Sequence, residues 1–286
     1  MWLKKILRCH LIRETGLSST LWPDCRRRPC KTILSFIKMI SFTERFEAEE
    51  MMDDFSIIDE RLTHALDELR WVNRLLGGYA TTLSVLRPYL LARRDRTTRI
   101  LDLGTGIADY PEVIARWAFR KGIPIHITAL DANPATVEHA VRTLDRRLEP
   151  TVRACINVEV GDALALPYDA DQFDVAMAAM FMHHFGDADA ERLVGEMSRV
   201  AADGILINDL HRHSLAYFGI LAPAKVLPVS AMFRNDAPIS VMRGFTRADL
   251  EDLAARTGLP QADIHWHWAF RWMFSTLHAS DSVREA

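Results

Sequence analysis

Arg99-Ile-Leu-Asp-Leu-Gly-Thr-Gly-Ile-Ala-Asp109 is the stretch whose reading decides the fold. Ile100, Leu101 and Leu103 form a short apolar run, the mark of a strand buried on both faces of a parallel sheet. Gly104 and Gly106 follow at once, and a helix is expected over Pro111 to Lys121. A strand that turns through glycines into a helix gathers bare backbone N–H groups and a positive helix end at one spot. That spot suits the polar end of a nucleotide-like ligand. Asp102 stands before the first glycine, where a carboxylate accepts from a ligand amino group and repels a pyrophosphate. The third glycine of a dinucleotide fingerprint is missing, with Ala108 and Asp109 in its place. The pattern favours a ligand bearing an ammonium group and hydroxyls.

The rest of the composition agrees with a packed domain: of 286 residues, 49% are hydrophobic and 26% charged. The net charge of −3 hides an asymmetry. Residues 1–40 hold nine Lys/Arg against two Asp/Glu, so the remainder carries −10. An acidic body without a basic stripe argues against nucleic acid as a partner. Three of the four cysteines (Cys9, Cys25, Cys30) lie in the basic leader and Cys155 is alone, which points to a reduced, cytoplasmic protein. Cys25 and Cys30 have no matching downstream pair, and no metal site is expected from them.

Residues 1–40 read as a poorly ordered basic leader, with the working protein expected to begin near Met39 or Met51. Their apolar pieces are far shorter than the ~20 residues a membrane span needs. Residues 41–95 read as a helical cap. Leu62, Leu66, Leu69, Val72 and Leu76 recur at helical steps until Gly77-Gly78, and a second helix runs from Tyr79 to Leu90, closing near Pro88.

Residues 96–286 carry the α/β alternation. A second buried strand, His126 to Asp131, ends in an acid some two dozen residues past Gly106. A carboxylate there can take both hydroxyls of a ribose. The competing role, capping the helix from Pro134 to Arg146, falls more naturally to Asn133. Ile156 to Val160 alternates like a third strand and runs into Gly161-Asp162-Ala163. Phe173 to Met182 is the fourth, leading into His183-His184. A helix from Ala188 to Ala201 and a strand from Gly204 to Asn208 follow, then Asp209-Leu-His211-Arg-His213. Residues 214–245 break the rhythm. They are apolar but contain Lys225, Pro223 and Pro228, so they read as a helical lid with an apolar inner face and not as a membrane span. Thr246 and Asp249 form a capping box for a helix that stops at Gly258. Ile264 to Trp268 and Phe270 to Leu277 read as an edge hairpin.

Taken together, Leu101-Asp-Leu-Gly-Thr-Gly106, Asp131, Gly161-Asp162-Ala163 with Leu166-Pro167, and Phe173-Asp174-Val175 followed by His183-His184 resemble the class I S-adenosylmethionine-dependent methyltransferases. Asn73-Arg74-Leu-Leu-Gly-Gly78, Asn208 to Arg212 and Phe245-Thr246 further resemble a bacterial subgroup of small-molecule methyltransferases, often linked to polyketide or quinone-like products. The resemblance covers about Arg99 to Leu277. It implies a Rossmann-like, seven-stranded methyltransferase sheet with the last strand antiparallel. By it, Asp102, Gly104 and Gly106 would hold the methionine end of the cofactor, together with Thr105 and Asp109. Asp131 would take the ribose and Asp162 with Ala163 the adenine, backbone near Ala179 and Met180 would line the sulfonium, and Ala132 would also bind the cofactor. Val200-Ala-Ala-Asp-Gly204 departs from the family's usual pattern and reads as a surface turn.

Methyl transfer to a small hydrophobic or aromatic acceptor, preferably at oxygen, is the expected activity. Such an acceptor benefits from a base titrating near neutrality, and histidine is the natural one. His184 and His211 lead, followed by His183 and His213, all expected on the cofactor side of the sheet. One of the paired histidines could instead be purely structural. The rival readings are an NAD(P)-binding oxidoreductase, disfavoured by Asp102 and the missing glycine, and a scaffold or sensor that binds the cofactor without reacting.

Overall fold

The computed structural model describes residues 41–57 and 59–277. Contacts divide the chain into Met1–Glu44 and Arg45–Ala286, and the sheet with its helices belongs to the second unit. The expected basic leader, residues 1–40, lies outside the described residues.

Among the described residues, seven strands form one sheet: β1 (Thr98–Leu103), β2 (Ile125–Asp131), β3 (Ile156–Val160), β4 (Phe173–Ala179), β5 (Ala201–Leu210), β6 (Asp263–His267) and β7 (Arg271–Ser275). Their spatial order is β3-β2-β1-β4-β5-β7-β6. The first five run parallel, and β7 is antiparallel to both its neighbours. β1 therefore lies inside the sheet, with Ile100, Leu101 and Leu103 fully buried. Alternation sends Ile100 to one face and Leu101 and Leu103 to the other.

Helices α1 (Glu60–Leu75) and α2 (Gly78–Ala92) precede the sheet. The crossovers follow as α3 (Asp109–Lys121), α4 (Pro134–Arg147) with the short α5 (Pro150–Arg153), and α6 (Asp187–Val200). α2, α3 and α4 cover one face, through Leu86, Ile114 and Leu144. α6 covers the other through Leu193, Val194 and Met197. α7 (Ser214–Val226) and α8 (Ala231–Arg243) make up the insertion before α9 (Arg247–Arg256). Thr246 caps α9 in the expected box with Asp249, and Asn133 caps α4.

Three local expectations are corrected. α2 runs through Pro88 to Ala92, because Leu86, Tyr89 and Leu90 are all buried and packing outweighs the ~3 kcal/mol a helical proline costs. Residues 200–204 are no surface turn: α6 passes directly into β5 at Ala201. The register between β4 and β5 slips between Phe173 and Val175, and Gly204 (φ 142°) sits in the strand against Thr276. A side chain at Gly204 would strike the Thr276 hydroxyl, which itself accepts from the Ile205 N–H. Third, the 214–245 insertion does not turn an apolar face to the ligand cavity. Met232 of α8 packs instead on Leu62, Leu66 and Ile107, and Leu215, Phe218 and Val226 of α7 face outward. No described helix is long and apolar enough to cross a membrane.

Candidate active site

The carboxyl ends of β1, β2, β3 and β4 open into one cavity of about 940 Å³. The turn after β1 is built from left-handed backbone at Gly104 (φ 63°), Gly106 (φ 54°) and Ala108 (φ 55°). A methyl group on Gly104 would lie 2.0 Å from the Phe181 ring, so only glycine fits under that ring. Met180, the first residue past β4, is also left-handed (φ 57°), held there by its N–H bonding to the Asn208 carbonyl at 2.8 Å.

Asp102 is buried at the floor, where its Oδ2 accepts from the Thr105 hydroxyl at 2.6 Å. Burial pushes its carboxyl up to about 8 against that hydrogen bond, and Asp109 and Asp131 add to the effect. Asp131 is half-buried and braces the same turn. Its Oδ2 accepts from the Gly106 N–H at 3.0 Å and its Oδ1 from the Asn133 N–H at 2.9 Å. Asp162 is exposed at the rim, accepting from the Leu164 N–H at 2.8 Å. Gly104, Thr105, Gly106, Ala132, Ala163, Ala179 and Met180 join these acids on the cavity wall. Asp109 also lines it, and its Oδ2 is gripped by the Tyr79 hydroxyl (2.7 Å) and Asn73 Nδ2 (3.3 Å) from α1 and α2. Asn73 in turn accepts from the fully buried Arg271 of β7. Tyr110 brings a hydroxyl that is buried and has no hydrogen-bond partner.

Apolar side chains share the wall: Phe181 and Leu66 lie against the glycine turn, with Met52, Phe55, Leu62, Leu69, Ile107 and Phe185 beside the charged Glu49, Asp53, Asp54 and Arg243. Glu49 and residues 52–55, around the short turn Met51–Asp53, supply the roof of the cavity. Asp236 of α8 takes the Met51 and Met52 N–H groups at 2.8 and 3.1 Å. Arg45 donates to the Phe185 carbonyl at 2.7 Å, and Arg243 to the His183 carbonyl at 3.0 Å.

Of the histidines expected on the cofactor side, only His184 reaches the cavity. Its Nδ1 lies 2.6 Å from Asp53 Oδ1, and Arg243 Nη1 holds the other oxygen of Asp53 at 2.7 Å. His183 is 2% exposed and points away, its Nδ1 2.7 Å from Asp209 Oδ1 and its Nε2 3.6 Å from Glu50 Oε1. His211 and His213 do not line the cavity. The end of β5 is bracketed by the Phe270 carbonyl and by Phe245, which sets the His211 ring against Trp272 and under the Trp266 N–H at 3.1 Å. Burial, with His213 and Arg212 nearby, pushes His211 down to about 4, too low for a base near neutrality.

Sequence reasoning did not single out Asp53, Glu50, Tyr79, Tyr110 and Arg243. Asn73 stood within a quoted motif, but nothing in its spacing foretold the contact with Asp109.

Residues 100–204 match the family model for a methyltransferase domain. Among solved structures, magnesium protoporphyrin IX methyltransferase from Synechocystis, bound to S-adenosylhomocysteine, shares 12% identity. The match covers 78% of this chain and 98% of that one, with a TM-score of 0.51, and it shows the same fold. A SAM-dependent methyltransferase from Aquifex aeolicus is similar over 68% of this chain and 91% of its own, at 12% identity and a TM-score of 0.45.

Proposed function

We propose that the chain, which carries a methyltransferase domain at residues 100–204, is a class I S-adenosylmethionine-dependent methyltransferase that methylates a hydroxyl of a small, hydrophobic or aromatic molecule in the cytoplasm. The observation that carries this reading is a single cavity in which carboxylates at the strand ends stand beside apolar side chains such as Leu66, Phe181 and Phe185. Its volume of about 940 Å³ is at the upper end of small-molecule sites (~300–1,000 Å³), as room for a cofactor and an acceptor requires.

The donor set suits the cofactor. Asp102 faces the ammonium of the methionine end, with the Gly104–Gly106 turn letting the backbone come close. Thr105 fixes the Asp102 carboxylate. Asp109, held by Tyr79 and Asn73 and pushed above the usual carboxylate range by burial, adds a second acid to that end. Asp131 keeps free lone pairs for the two ribose hydroxyls beside Ala132, and Asp162 and Ala163 meet the adenine. Ala179 and Met180 flank the sulfonium.

The bound cofactor supplies an electrophilic methyl group. What the protein adds is alignment and dryness. Phe181, Phe185, Leu66 and Met52 hold the acceptor and exclude water, and His184 stands where the acceptor hydroxyl is ionised. His183, with both ring nitrogens facing buried carboxylates, does not touch the acceptor.

Calorimetry with S-adenosylhomocysteine and with NADH tests the cofactor: binding of the first and none of the second is expected. Release of S-adenosylhomocysteine over a panel of phenols, quinols and carboxylic acids tests the acceptor. Turnover confined to carboxylic acids refutes the hydroxyl reading. A chain that binds S-adenosylhomocysteine but turns over nothing in the panel is a cofactor-binding scaffold.

A further inference from the structure

We propose that Glu50, His183 and His184 together bind a divalent metal ion of the zinc class at the acceptor end of the cavity. The inference rests on the reading that the acceptor is a hydroxyl, and it states how that hydroxyl is ionised. One potential ligand atom from each of the three residues lies within 4.8 Å of the others. Glu50 Oε1 and His183 Nε2 are 3.6 Å apart, close to the roughly 3.3 Å edge of a tetrahedron with metal–ligand bonds of about 2.0–2.1 Å.

Two independent features point to a cation. Both histidines have a carboxylate on Nδ1, Asp209 at 2.7 Å for His183 and Asp53 at 2.6 Å for His184. That arrangement fixes the ring and leaves Nε2 as the lone-pair nitrogen, the outer support that metal-bound histidines have. Glu50 is 5% exposed, and its Oε1 has no hydrogen-bond donor. A buried carboxylate oxygen without a donor is costly, and a cation between it and the His183 ring removes the cost. The ligand loop is rigid, since Arg45 and Arg243 donate to the carbonyls of His183, His184 and Phe185.

Two histidines and one carboxylate leave a coordination position open. Since His184 is the ligand that also lines the cavity, that position faces the acceptor. An ion there takes the acceptor oxygen and lowers the pKa of its hydroxyl, whose proton passes to solvent as the oxygen becomes the nucleophile.

The test uses the full chain without a polyhistidine tag, stripped with chelator and titrated with zinc chloride. About one zinc per chain is expected. Glu50→Gln and His183→Gln should each weaken zinc binding at least 100-fold, and Asp209→Asn, acting through the ring, by about 10–100-fold. Cobalt(II) added to wild-type protein gives a readout that needs no variant: visible bands of a low-coordinate nitrogen and oxygen site are expected. Less than a fifth of an equivalent of zinc, an aqua-like cobalt spectrum, or wild-type zinc affinity in a folded Glu50→Gln protein overturns the proposal. S-adenosylhomocysteine is titrated into the same samples, where Glu50→Gln should bind it as wild type does. Failure of the wild type to bind S-adenosylhomocysteine sinks the methyltransferase reading and leaves the zinc result standing.

Discussion

Replacing Asp131 separates what the residue does for the fold from the role proposed for it in holding the cofactor. An ionised carboxylate offers about four acceptor sites, two on each oxygen. Asp131 commits one on Oδ2 to Gly106 and one on Oδ1 to Asn133, at 3.0 and 2.9 Å. The two that remain match the two hydroxyls of a ribose. Asp131→Ala removes all four at once. Hydrogen bonds to a charged partner contribute about 1.5–3 kcal/mol each, and the two are not additive. The expected loss in binding S-adenosylhomocysteine is therefore about 2–3 kcal/mol, or roughly 30–150-fold. Gly106 is partly exposed but Asn133 is buried, so stranding the two amides costs the fold about 1–3 kcal/mol. Calorimetric titration well below the unfolding temperature measures the first effect, and urea denaturation without ligand measures the second. Asp131→Asn keeps one oxygen for one amide but sets an NH₂ against the other. It should thus resemble alanine in binding while losing less stability. A stable Asp131→Ala protein that binds S-adenosylhomocysteine within threefold of wild type refutes the ribose assignment.

Asp102 titrates at about 8 in the ligand-free protein but must be ionised to pair with an ammonium. Binding below that pH therefore releases a proton, and affinity for S-adenosylhomocysteine should rise by about tenfold per unit over roughly pH 6 to 7.5. Asp102→Asn should remove that slope, and calorimetry in buffers of different ionisation enthalpy counts the proton. Gly104→Ala combines left-handed strain with a methyl group 2.0 Å from the Phe181 ring, whereas at Gly106 the nearest atom, Leu66 Cδ2, is 3.7 Å away. Gly106→Ala should cost only the ~1–2 kcal/mol of backbone strain, and Gly104→Ala clearly more, read as melting temperature and cofactor affinity. Thr246→Ala removes the cap of α9, 3.2 Å from the Asp249 N–H, and should lower stability by about 1 kcal/mol in urea, leaving cofactor affinity unchanged. Once an acceptor is in hand, His211→Gln should retain kcat within about twofold, since the ring lies outside the cavity.

The convergence of the strand-end residues on one cavity was legible because its information is local. A buried strand, two glycines and an acid at a strand end occupy consecutive positions, and sheet topology then brings the ends of β1 to β4 together. The edge hairpin was equally legible from its own alternation. The rest of the cavity wall was not, because it is assembled from distant segments with no shared periodicity: Asp53 lies before α1, and Arg243 ends α8. His211 shows a different limit. A residue at a strand end is known to sit at that edge of the sheet, but its ring follows whatever packs beside it. Here Phe270 and Phe245, which local pattern could not position, bend it away. The apolar run in 214–245 misled for a related reason. Hydrophobicity does not say what a surface faces: Met232 of α8 packs on α1, while Leu215, Phe218 and Val226 of α7 stay exposed.

The clasp formed by Arg45, Asp236 and Arg243 has an evolutionary consequence. None of these three lies in the stretch 100–204 that matches the methyltransferase domain model, yet together they fasten the ceiling of the cavity. On the function proposed above, selection can therefore retailor that ceiling for a new chemical guest while the strand-end berth stays as it is, so descendants of this chain should diverge in diet long before they diverge in fuel.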